Sequence, residues 1–89
     1  MKFELGRVVA TPGVLEHFQG IEESILPYIA RHSSGDWGDL DEHDIQVNER
    51  ALSNDEQLLS SYKTVGNQKI WIITERDRSV TTVLLPSEY

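Results

Sequence analysis

Cysteine is absent from the 89 residues, which excludes a disulfide framework, a thiolate metal site and a thiol nucleophile. Packing alone has to hold the chain. Nor is there an apolar run approaching a membrane span. The opening MKFELGRVV breaks its hydrophobic residues with Glu4 and Arg7, and so lacks the uninterrupted apolar segment of a secretion signal. We read a chain made and kept in the cytoplasm, with no membrane partner. Basic residues are few, 8 Lys and Arg against 15 Asp and Glu, for a net charge of −7. Such a field repels phosphate backbones, so direct nonspecific nucleic-acid binding is not expected. GxGxxG and phosphate-loop motifs are missing, which leaves nucleotide cofactors without support. His17, His32 and His43 show neither HxH nor HxxxH spacing, so no metal centre is expected.

What is present suffices for one core, and residues 1–89 are read as a single α+β domain. In FELGRVV, Phe3, Leu5 and Val9 share one parity and Glu4 the other, predicting a half-buried strand over residues 3–9. Thr11-Pro12 then gives a cap and a first helical residue, followed by the stripe Val14, Leu15 and Phe18 and a stop at Gly20. A second helix runs from about Pro27 to Ser33, with Tyr28 and Ile29 facing the core. A third opens on Asp39 as cap with Glu42 in the capping-box position, and buries Leu40, Val47 and Ala51.

The last third is rich in β-branched and aromatic residues. Leu58 to Val65, Lys69 to Glu75 and Val80 to Leu85 are separated by Gly66-Asn67 and by the turn Arg76-Asp77-Arg78-Ser79, predicting a three-stranded antiparallel meander. KIWIITE is apolar on both parities, so it is placed centrally with both faces at least partly covered and Trp71 in the core. The expected architecture is an N-terminal strand, three short helices packed on the sheet, and the meander. Val80 to Leu85 is read as an edge strand, open to pairing with a second copy as a homodimer.

Two constellations could carry function. Eight of the fifteen acids fall in residues 36–56, where Arg50 is the only Lys or Arg. Asp36, Asp39, Asp41, Glu42 and Asp44 form its densest part. Such a row could imitate phosphates and occupy a basic groove on another protein, with Trp37 between its glycines as an aromatic anchor. The plainer reading of the acids is a solvated helix start, and of Trp37 a core plug. The second set is His32, Glu75 and Arg78. A histidine moves protons near neutral pH, a glutamate partners it, and an arginine stabilises charge on a phosphate, which together suit metal-free ribonuclease chemistry. Against this stand a histidine at a helix C-terminus and a surface ion pair.

The segments KFELGRVVATPG, RHSSGDWGDLDE and KIWIITERDRSVTTVLLPSEY resemble a family of small bacterial proteins carried on plasmids, integrated elements and gene cassettes. Members are commonly labelled plasmid-related and sometimes restriction-associated. The likeness covers most of the chain and is weakest over residues 14–30. It implies an accessory protein of a mobile element and supplies no catalytic residues. The leading expectation is thus a non-enzymatic interaction protein with a protein partner; the alternative is a small barnase-like or toxin-like ribonuclease.

Overall fold

Gly6 has a left-handed backbone (φ 65°), and a Cβ there would lie 2.3 Å from the Ser79 backbone. In the computed structural model, which describes residues 1–21 and 23–89, the first strand therefore starts at Arg7 rather than Phe3. The order is β1 (Arg7–Ala10), α1 (Pro12–Ile21), α2 (Leu26–Ser33), α3 (Glu42–Asn54), β2 (Leu58–Lys63), β3 (Lys69–Thr74) and β4 (Val80–Leu84), then a 3-10 turn, Pro86–Glu88. No described helix is long and apolar enough to cross a membrane.

The sheet order is β1-β4-β3-β2. β2, β3 and β4 form the expected antiparallel meander, while β1 adds in parallel beside β4, Val8 opposite Thr81 and Ala10 opposite Val83. The fold is α+β with a mixed sheet. β4 is consequently an inner strand, and the expected homodimer through an edge at Val80 to Leu85 is corrected: β1 occupies that edge. β3 is central, as its two apolar parities predict.

Alternation along the strands sorts the sheet into two faces. Leu58, Tyr62, Ile70, Ile72 and Val83 face the helices. Val14, Tyr28, Ile70 and Val83 meet in one cluster, with Phe18, Ile25 and Ile29 packed against it, and Trp37, Ala51 and Leu58 form another with Phe3, Leu40, Ile45 and Leu52. Trp71, Ile73, Thr82 and Leu84 lie on the opposite face, outside both clusters. Ile73 and Leu84 are only 6% and 5% exposed there, whereas Trp71 is half-buried beside the exposed Tyr89 rather than in the core. The second face of β3 is thus partly covered, as its two apolar parities predict, while the placing of Trp71 in the core is corrected.

Local chemistry explains the helix ends. α1 begins at Pro12 as predicted, but the Thr11 hydroxyl donates to Glu88 of the tail, and the same carboxylate accepts from Gly13 N–H at 3.0 Å. The tail thus supplies an acceptor to an orphan donor of the first turn. In α3 the cap is Asp41, whose Oδ1 accepts from Asp44 N–H at 2.8 Å; Glu42 is already helical, so the capping box on Asp39 is not formed. The buried stripe is also shifted: Val47 is 40% exposed and Asn48 takes the inner position.

Candidate functional site

The acids gather at the entrance of α3. Asp39, Asp41, Glu42 and Asp44 are exposed, and Asp36 is held by Arg31 in the only ion pair among the described residues, Nε to Oδ2 at 2.7 Å. That guanidinium holds the Asp36 carboxyl below its ordinary range. The density does not run on along the helix. Glu42 and Glu49, seven residues apart, share one flank of α3, Asp44 lies toward the other, and Arg50 stands between them on the outer surface. The acidic patch belongs to the loop and first turn.

Trp37 does not present its ring to a partner. It is 3% exposed, stacks on Phe3 with centroids 6.1 Å apart, and donates its indole N–H to Glu49 at 2.7 Å. Burial of a large ring with its polar edge satisfied is a packing role. The flanking Gly38 lets this loop run alongside β2, where Trp37 C=O accepts from Ser61 N–H and Ser61 C=O accepts from Asp39 N–H. Trp37 as an exposed binding residue is therefore corrected.

His32, Glu75 and Arg78 are not brought together around a solvent-filled cleft. His32 is fully buried, with Nδ1 2.5 Å from Ser60 Oγ and Nε2 2.9 Å from Thr74 Oγ1. Thr74 Oγ1 is 2.7 Å from Thr81 Oγ1, and the Thr81 hydroxyl donates to Leu5 C=O at 2.7 Å. This last bond sets the direction of the whole chain. With its one proton spent on Leu5, Thr81 accepts from Thr74; Thr74 in turn accepts from His32 Nε2–H; and Nδ1 is left to accept from Ser60. Kept neutral by its burial, His32 therefore carries its one ring proton on Nε2. Burial lowers its pKa to about 4.

Phe3 separates His32 from Arg78: its ring centre is 5.2 Å from the imidazole and 5.8 Å from the Arg78 guanidinium carbon. Arg78 donates to the carbonyls of Glu56 at 2.7 Å, Glu75 at 3.2 Å and Ala51 at 3.2 Å, tying the end of α3 to the β3–β4 turn. Glu75 borders a surface hollow with Glu56, Gln57 and Arg76. The arrangement serves packing. Proton transfer to a substrate would need access that His32 lacks.

Sequence reasoning missed Ser60 and Thr74, the two partners of His32, and the place of Thr81 behind Thr74. Their signal was present: each is a hydroxyl at a helix-facing position of a strand whose neighbours of the same parity are mostly apolar. It missed Asn48 as well, a polar residue where the helical stripe asks for an apolar one. The chain is a small α+β protein with a mixed sheet, a buried imidazole and hydroxyl chain, and an acidic loop before α3. Comparison with protein-family models, curated proteins and solved structures finds nothing that matches it.

Proposed function

We propose that the chain is a non-enzymatic accessory protein of a mobile genetic element, acting in the cytoplasm by binding a protein partner. Its contact surface is the acidic entrance to α3, which takes the place of nucleic acid in a basic groove of that partner. One observation carries the reading: Asp39, Asp41, Glu42 and Asp44 are all exposed and none forms an ion pair among the described residues. Their charge is therefore free to steer association with a basic surface. The burial of His32 weighs against the ribonuclease alternative.

The test is displacement of labelled DNA or guide RNA from purified DNA-processing enzymes and RNA-guided defence complexes. At low salt the protein displaces the nucleic acid from at least one of them, and the effect fades as salt rises. The combined Asp39→Asn, Asp41→Asn, Glu42→Gln and Asp44→Asn variant, which keeps an Asn able to cap α3, loses it. Absence of displacement at low salt across such a set rules the reading out.

A further inference from the structure

The two edges of the sheet are treated differently. On β2, the outward backbone groups of Leu59 are taken by the Asn48 amide, and those of Ser61 by Trp37 and Asp39. That edge is closed to further pairing. On β1, Arg7 N–H bonds Ser79 C=O and Thr11 N–H bonds Val83 C=O, so alternate residues of the parallel ladder face β4 and Val8 and Ala10 face away. Val8 and Val9 are 41% and 37% exposed. Residues 8–10 also lack the charge, proline or bulge that ordinarily protects a free edge.

We propose that β1 pairs with β1 of a second copy, antiparallel about a twofold axis at Val9. The chain permits one such register. Centring on Val8 would pair Ala10 with Gly6, whose left-handed backbone has left the strand against Ser79. Centring on Ala10 would pair Val8 with Pro12, which has no N–H and opens α1. Centring on Val9 pairs Val8 with Ala10 of the second copy and Ala10 with its Val8, so every outward group of the strand is bonded. The side-chain pairs favour the same arrangement. Val9 meets its own copy in the closely spaced, non-hydrogen-bonded position suited to β-branched residues, and Arg7 meets Thr11 rather than another cation. A second copy is the occupant because the strand is complementary to itself in hydrogen bonding and carries no uncompensated charge at the centre of the pairing. The result is one continuous eight-stranded sheet.

Sedimentation equilibrium over a range of concentrations, with hydrogen exchange on the same samples, tests the proposal. The protein dimerises reversibly, and the Val8 and Ala10 amides become protected as concentration rises while the Val9 amide, already bonded within the monomer, changes little. Because each copy carries a net charge of −7, added salt strengthens the dimer. Val8→Pro removes an N–H that the monomer does not use, and weakens association about tenfold or more while leaving the circular dichroism unchanged. A monomer at all concentrations overturns the proposal, as does a dimer weakened by salt or one in which the Val8 and Ala10 amides stay unprotected. The exchange data decide the matter even if the proline variant does not fold.

Discussion

His32 Nε2 donates to the Thr74 hydroxyl across 2.9 Å, and the chain of hydroxyls beyond it ends on the Leu5 carbonyl. One direction of proton donation satisfies every member, and with the imidazole kept neutral by burial it puts the single ring proton on Nε2. At neutral pH, long-range nitrogen–proton correlation spectra therefore show His32 protonated on Nε2 and bare on Nδ1. The opposite tautomer would contradict the donor order.

The same burial makes stability depend on acidity. The folded pKa of about 4 lies below the ordinary 6.5, so as pH falls through this interval the unfolded chain takes up a proton that the folded chain refuses. Stability from this group is complete above about pH 6.5 and is lost progressively down to pH 4. The shift corresponds to about 3 kcal/mol. Urea denaturation at a series of pH values shows this slope in the wild type. His32→Gln is less stable at pH 7 but loses the slope between pH 4 and 6.5, because the titrating group is gone.

Asn48 holds both backbone groups of Leu59, Nδ2 to C=O at 2.5 Å and N–H to Oδ1 at 3.1 Å. An amide is the only side-chain group that offers one donor and one acceptor in the fork a neighbouring strand would present. Asn48→Ala leaves two groups of a sheet edge unpaired and costs about 1–3 kcal/mol in urea denaturation. Asn48→Asp is at least as damaging, since its carboxylate turns an acceptor toward the Leu59 carbonyl. Asn48→Ala also exposes a second edge, so its tendency to associate at high concentration exceeds that of the wild type.

How much of this was legible follows from the range of the interactions. The double apolar parity of KIWIIT placed β3 at the centre, and Gly66-Asn67 and Arg76 to Ser79 marked the turns, because hairpins are built from neighbours in sequence. The partner of β4 was not legible. Whether Val80 to Leu84 lies at an edge depends on residues 7–10, more than seventy positions away. Trp37 shows the same limit: its loop left open a partner anchor or a core plug, and only the distant Phe3 and Glu49 decide for the plug. His32 looked available because a helix C-terminus is usually wet, and only the Ser60 and Thr74 hydroxyls from the sheet, with the Phe3 and Trp37 rings packed on it, make it a core residue.

Arg78 acts as a cation at the C-terminal end of α3, where the Ala51 and Glu56 carbonyls converge. Arg78→Met keeps much of the apolar stem beside Phe3 and removes the donors, so it costs about 1–3 kcal/mol. Arg78→Lys recovers only part, because the donors of an ammonium radiate from one nitrogen and do not match carbonyls divided between the two ends of a planar fork. Native-state hydrogen exchange locates the loss in the last turn of α3 and the β3–β4 turn. An effect spread evenly over the chain would be inconsistent with this role.

Two glycines make the last expectation a matter of sign. Gly20 lies near the end of α1 with nothing within 4 Å of a Cβ placed there, so Gly20→Ala only restricts the unfolded chain and improves helix propensity. It raises stability by about 0.5–1 kcal/mol. Gly38 has φ 77°, and a Cβ there would sit 2.0 Å from the Ser61 carbonyl oxygen and 2.7 Å from the Tyr62 ring. Gly38→Ala must push the loop off β2, losing the bonds between Ser61 and both Trp37 and Asp39, and it costs more than about 3 kcal/mol. Denaturation followed by tryptophan fluorescence separates the two. The Gly38 variant also shifts the folded-state emission toward longer wavelength as Trp37 meets water. A mild cost at Gly38 would mean that the loop yields without releasing the ring, and that Trp37 is held by Phe3 and Glu49 rather than by its seam with β2.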